Sequence, residues 1–278
     1  MLDLYIDFNN GMGEQSLTGI LPRFKVRSFT PDSPNIERET TTLPRINGLV
    51  LPQHPRDVVY KERDIKVDFL LDSIIPETFY QNRHELYSLL VQPFPYYIST
   101  DLLPNRRFLV TCDGNFTITK DKQKNHATFT VGFTDILGLA ESKYTSSTIQ
   151  NFNGEHWSPG MGILRRDDLE YHFKNQKRFS VYNPGGAVNT LQHDYKVFLW
   201  AKGTNVTIAN RTNGEKLKIE QELKRSQKVT FIRQYTVIGD KRLKTSGRLP
   251  TLDVGWNDFE IINSNDFEIL FDTRFYYK

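Results

Sequence analysis

The sequence predicts a mostly β protein of two domains, and three observations carry that prediction. Runs that alternate apolar and polar residues recur along most of the 278 residues, which is the period of half-buried strands. Turn residues separate these runs at short intervals, and the apolar palette is Phe, Tyr, Ile, Val and Leu with only three Met, a composition suited to pleated sheets. The length exceeds that of a usual single domain, so two domains of about 130 residues are expected.

Taken in order, Leu2, Leu4, Ile6 and Phe8 line one face of an opening strand, with Asp3 and Asp7 on the other. Asn9-Asn10-Gly11-Met12-Gly13 breaks it. Phe24, Val26 and Phe29 begin a second strand closed by Pro31 and Pro34, and Ile65 to Leu71 forms a third. One helix is predicted over 77–91. Pro76 suits its entry, Glu77 favours its positive end, and Phe79, Arg83, Leu86 and Leu90 share a face. Pro93 and Pro95 stop it. Strands are then expected at Tyr96–Ser99, Arg107–Cys112, Phe116–Thr119 and Ala127–Phe133.

From Gly138 to about Asp168, Ser, Thr, Asn and Gly dominate, which marks a linker over 141–168, with Phe152 and Trp157 suggesting that part of it packs onto a domain. From Leu169 onward short strands alternate with turns such as Asn183-Pro184-Gly185-Gly186, Asn213-Gly214 and Gly239-Asp240. Many short strands at near-regular spacing predict an antiparallel β-sandwich or jelly roll. The expected domains are therefore 1–140, β with one helix, and 169–278, all β.

Several function classes find no support. The formal net charge of +3 is too small to announce a nucleic-acid binder. The single Cys112 excludes an intramolecular disulfide and sits in an apolar run, as a buried inert thiol does. The segment Met1–Phe8 has no basic residue and sets two Asp among its apolar ones, unlike a signal peptide, and no apolar run approaches the length of a bilayer span, so a soluble protein made in a cytoplasm is expected. Phosphate-cradling Gly-rich loops, a Gly-x-Ser-x-Gly elbow and paired His spacings are absent. The sequence thus predicts no catalytic residue, metal or cofactor, and a protein that binds and assembles.

Three features could serve as binding surfaces. The stretch Arg211–Arg248 is rich in Lys and Arg, readable as contact with an anionic polymer such as a phosphate-rich wall glycan or as the outward face of alternating strands. In Ile46-Asn47-Gly48-Leu49-Val50-Leu51-Pro52 a turn sits inside an apolar run. Exposed Leu49, Val50 and Leu51 would mark a contact with another chain; the alternative is a loop folded over its own core. Trp200 and Trp256 could stack on sugar rings, although tryptophans at strand positions are more often core.

An ordered series of short motifs carries a family resemblance. It runs through Leu43-Pro44-Arg45-Ile46-Asn47-Gly48, Val59-Tyr60-Lys61-Glu62-Arg63-Asp64-Ile65-Lys66-Val67, the helix Phe79–Leu90 and the strand Ala127–Phe133. It resumes at Phe179-Ser180-Val181-Tyr182-Asn183-Pro184-Gly185 and ends in Leu252–Ile261 and Arg274-Phe275-Tyr276-Tyr277. In this order they resemble the distal tail proteins (Dit) of long-tailed, siphovirus-type bacteriophages that infect Gram-positive hosts. Leu49-Val50 departs from the second Gly or Asp-Gly that family members often place there.

The resemblance implies a galectin-like C-terminal sandwich and an N-terminal domain that closes a hexameric ring by heterologous contacts. Its implied partners are copies of itself, the tail tube protein, the tail-associated hub protein and a receptor-binding protein. Neither a membrane nor specific nucleic acid is among them, although DNA would pass through the channel. The implied location is the virion tail tip, after assembly in the host cytoplasm. The alternative reading is a carbohydrate-binding module protein for host wall glycans, and a weaker third is a wall hydrolase.

Overall fold

The computed structural model describes residues 2–38, 40, 44–45, 47–48, 50, 58–73, 75–112, 114–121, 125–149, 156–163 and 168–278. The chain divides into two compact units, Met1–Glu141 with Lys278, and Ser142–Tyr277. It is mostly β, in antiparallel sheets, as the alternation predicts.

The first unit contains β1 (Leu4–Asp7), β2 (Gln15–Ser16), α1 (Leu17–Ile20), β3 (Phe24–Pro31), β4 (Asn35–Glu37), β5 (Val59–Lys61), β6 (Arg63–Asp72), α2 (Pro76–Leu90), β7 (Tyr96–Thr100), β8 (Arg106–Thr111) and β9 (His126–Asp135). Its main sheet runs β2-β1-β7-β8-β9-β6-β3, with β4 and β5 as a separate pair. The long partners β6 and β9 match residue for residue, from Arg63 opposite Asp135 to Asp72 opposite His126. Alternation then sends Ile65, Val67, Phe69, Leu71, Ala127, Phe129, Val131 and Phe133 into one core. Phe79, Leu86 and Leu90 of α2 join that core, while Arg83, the fourth member of the expected face, turns onto the Tyr80 ring, 5.1 Å from its centre.

Two local differences from the sequence reading have clear causes. Residues 116–119 form no strand. Instead Phe116 packs edge-on against Tyr87 of α2 at 5.2 Å and flat over Phe129 at 6.3 Å, so its apolar character is spent on packing rather than pairing. The one-turn helix α1 was invisible as a pattern because it is only four residues long; Ser16 caps it by accepting from the Gly19 amide at 2.9 Å. Gly138 is held at φ +67, where a Cβ would lie 2.0 Å from the Lys61 carbonyl oxygen, so only glycine fits.

β10 (Ala140–Ser142) spans the boundary between the units. The second unit then contains β11 (His172–Lys174), β12 (Arg178–Asn183), β13 (Tyr195–Thr204), β14 (Thr207–Asn210), β15 (Lys216–Ile219), β16 (Glu222–Leu223), β17 (Val229–Ile232), β18 (Tyr235–Ile238), β19 (Lys241–Arg242), β20 (Thr245–Gly247), β21 (Gly255–Ile262), β22 (Asp266–Thr273) and β23 (Tyr276–Tyr277). Two sheets result, β11-β22-β13-β17-β18-β19 with β16 added to β13, and β12-β21-β14-β15-β20. Their buried rings interlock: Phe173 stacks on Phe179 at 4.1 Å, and Phe259 meets Phe271 at 4.9 Å.

The span 141–168 reads as a linker from composition, yet its described residues fall almost wholly within the second unit. The Ser146 hydroxyl donates to the Phe271 carbonyl at 2.7 Å and accepts from the Thr273 amide at 3.0 Å. Trp157, Met161 and Ile163 are buried, Trp157 against Phe275 at 5.8 Å. Phe152 lies outside the described residues.

Candidate functional site

No three His, Cys, Asp or Glu side chains gather to hold a metal ion among the described residues. The candidate sites are surfaces, and each is built by a particular piece of packing.

In the first unit a buried ion pair fixes the sheet where β6 and β9 meet. Arg63 donates from Nε to Asp135 Oδ2 at 3.0 Å, with both side chains almost wholly buried. The Leu137 amide donates to the other carboxylate oxygen at 3.2 Å. Burial pushes the Asp135 carboxyl up to about 6, and the guanidinium offsets part of that rise. Cys112 is buried, as its apolar run predicts.

Apolar side chains that escape this core are candidates for contact with another chain. Val91 and Phe94, just beyond α2, are 52% and 45% exposed, with the Phe94 ring edge-on to Phe8 at 6.4 Å. Met12, Leu102 and Tyr80 are exposed as well. Of the apolar turn, Val50 is 40% exposed. Leu49 and Leu51 lie outside the described residues. Sequence pattern had no means of finding Val91 or Phe94, since Val91 directly follows the core residue Leu90 and Phe94 stands alone between two prolines.

The second unit separates the two tryptophans. Trp200 lies on β13 and Trp256 on β21, strands of different sheets, so they do not form one platform. Trp200 is half-buried, with Lys228 Nζ 5.6 Å from its ring centre. Trp256 is 39% exposed and lies opposite Tyr182 in register, rings 5.1 Å apart. Beside them on the same face, Ser180 donates to Asp258 at 2.6 Å, and Arg178 and Arg211 hold Glu260. Trp256 is therefore not the core residue its strand position suggests.

The motif Leu252–Ile261 has a structural reason. Asn257 Oδ1 accepts from the Asp253 amide at 2.8 Å and from Asn210 Nδ2 at 3.0 Å, and its own Nδ2 donates to the Asp253 and Gly255 carbonyls. Asn183, from the earlier motif, donates to the Gly186 and Leu252 carbonyls. Glu215 accepts from the Thr251 amide at 2.7 Å and hydroxyl at 2.8 Å. These hydrogen bonds and Arg248 hold its carboxyl below the usual range despite its burial. Buried amides and one acid thus pin the segment leading into β21.

Residues 16–134 match the family model of the phage tail protein RIFT-related domain. That match falls within the first unit. The solved structure of the Dit protein of phage SPP1, described as a paradigm of the hub adsorption apparatus in Gram-positive-infecting phages, matches over 99% of this chain and 99% of its own. The identity is 12% and the TM-score 0.58, a likeness that establishes the fold. A chain of the phage p2 baseplate in its activated conformation with Sr matches at 10% identity over 98% of each chain, with a TM-score of 0.46. No curated protein sequence matches. The resemblance carried by the motifs thus meets a tail-domain match over residues 16–134 and a shared fold along the whole chain.

Proposed function

We propose that this chain is the distal tail protein at the baseplate hub of a long-tailed phage. The first unit forms a hexameric ring that joins the tail tube to the tail-associated hub protein, and the second anchors receptor-binding proteins. The observation that carries this reading is that one fold runs end to end through this chain and the SPP1 Dit protein, beside a tail-domain match in the first unit. A closed ring needs two different patches per subunit. The exposed side chains at Val50 and at Val91 and Phe94 supply apolar candidates for them.

Light scattering and negative-stain imaging of the purified chain test the reading. A ring with a central hole and a mass of about 194 kDa, six times 32.4 kDa, is expected, and Val91→Asp with Phe94→Asp should dissociate it. A strict monomer at high concentration, also in the presence of tube and hub proteins, overturns it.

A second reading, glycan contact, is favoured at one place. The exposed Trp256–Tyr182 pair with Ser180, Asp258 and Glu260 alongside offers an aromatic face rimmed by polar groups. Neutral wall polysaccharide binding that Trp256→Ala abolishes without unfolding would support it. Failure to bind any wall preparation would sink it.

A further inference from the structure

Residues 224–242 hold six cations and a single acid, Asp240. The structure divides the cations of the basic stretch into two sets. Arg211, Arg225, Lys244 and Arg248 are tied to carboxylates of their own unit: Glu260, Asp266 with Glu268, Glu220 and Glu215. The others have no carboxylate partner among the described residues: Lys216 and Lys218, on β15 of the other sheet, and a second set made of Lys224, Lys228, Arg233, Lys241 and Arg242.

This second set gathers on and beside the half of one sheet built by β13, β17, β18 and β19. One outward row across those strands reads Phe198, Thr230, Val237, Arg242, and the next reads Lys196, Ile232, Tyr235. Ile232 and Tyr235 are 41% and 44% exposed. Lys228 Nζ stands 3.9 Å from the Phe198 ring centre, and the Arg242 guanidinium 5.1 Å from that of Tyr235. The solvated face of an antiparallel sheet ordinarily carries polar residues. Here it carries apolar rings topped by cations. The acids of the same face, Asp266, Glu268 and Asp272, sit on β22; the first two are occupied by Arg225, His172 and Lys174, and Asp272 lies opposite Lys196 at the far end of the strand.

We propose that this face binds a phosphodiester polymer of the host cell wall, a chain of polyol or sugar phosphates. The proposal rests on the reading of the chain as a tail-tip component, because that is where it meets a wall. Cations gathered without counter-charges repel one another, and an anionic chain laid across them removes that repulsion. Nucleic acid fits less well. Base stacking needs an open aromatic face, whereas Phe198 presents an ammonium in its place. A phosphate oxygen meets that ammonium directly, while Ile232 and Tyr235 offer apolar surface to the carbon skeleton between phosphates.

The test is binding of the full-length chain to purified poly(glycerol phosphate) teichoic acid by biolayer interferometry. Saturable binding is expected, weakening at least about tenfold between about 50 and 200 mM salt. Lys228→Glu with Arg242→Glu should weaken it about tenfold at an unchanged melting temperature, and Lys216→Glu with Lys218→Glu, on the other sheet, should bind as the parent does. Should the first double variant melt early, Arg233→Glu in the β17–β18 turn is the substitute, with a loss of about threefold expected. No binding at low salt, equal binding by the charge-reversed and parent chains, or equally tight binding of a DNA oligonucleotide or of polyglutamate overturns the inference. Particle mass measured on the same samples separates the two readings. A ring that ignores the polymer overturns only the present inference, and a monomer that binds it overturns only the ring.

Discussion

The two units solve the same problem with opposite chemistry. Each must fix the ends of long strands inside a core. The first does it with a buried ion pair, Arg63 with Asp135. The second does it with neutral amides, Asn183, Asn210 and Asn257, and sends most of its ion pairs to exposed positions across strands, such as Arg178 with Glu260 and Lys174 with Glu268. Net charge follows the same division. Residues 142–277 hold 20 Lys and Arg against 15 Asp and Glu, and the rest of the chain holds 16 against 18. A buried pair is strong only while both partners are present, whereas an amide network keeps its hydrogen bonds at any pH. The difference makes the first unit the more sensitive to a single broken contact.

The largest expected effect breaks the comparison on that side. Arg63→Ala leaves Asp135 buried beside no cation and should destabilise the first unit by about 3–5 kcal/mol. Hydrogen exchange read by mass spectrometry should show the loss in 1–141 and not in 142–277, and the loss should shrink below pH 6 as Asp135 takes up a proton. Next, Asn257→Ala strands the Asp253 amide and the Asn210 side chain, at a cost of about 2–3 kcal/mol confined to the second unit.

Acidification should sharpen the contrast without any mutation. The folded pKa of Asp135, about 6, lies above its ordinary 3.8. Its contribution is therefore complete below about 3.8 and is lost as pH rises through about 6. Glu268 is held down to about 2, first by its hydrogen bond from Arg225 and then by His172 and Lys174, and Glu215 and Asp194 are also lowered. Their contributions are present above their ordinary values, 4.5 for the two glutamates and 3.8 for Asp194, and are lost as pH falls through the folded values. Asp68 in the first unit is lowered too, by Ser28 and Thr130, and works against the trend from a half-buried position. Between pH 7 and 4 the exchange protection of the second unit should fall relative to the first, and a parallel change would break the comparison. The smallest effect is Trp256→Ala. With that ring 39% exposed, its removal should change stability by under about 1 kcal/mol, which thermal melting can check.

Most of this fold was legible because alternation reports burial directly. Ile65–Leu71 and Ala127–Phe133 declare their faces, and the helix differs from Pro76–Leu90 by a residue at each end. What escaped has physical causes. Phe116 and Ile118 look like strand residues because a coil packed on a helix needs the same side chains. Ser and Thr near Ser146 look like linker until one hydroxyl satisfies two backbone groups of β22. The site was less legible than the fold. Exposure of Trp256 depends on which face of β21 it occupies, and the split of the basic stretch depends on carboxylates at 260, 266 and 268, distant in sequence from the cations they hold.

The register of the second unit has a further consequence. β11 pairs with β22, His172 opposite Leu270, and β12 pairs with β21, Arg178 opposite Glu260. Strands at the start of the unit thus wait for partners near its end. Synthesis proceeds at about 5–20 residues per second, so β11 and β12 spend seconds on the ribosome without their partners. The first unit, with β9 complete at residue 135, can fold during that time. Nascent chains would therefore emerge with one finished half and one half held open, and such open strand edges are where chaperones are needed most.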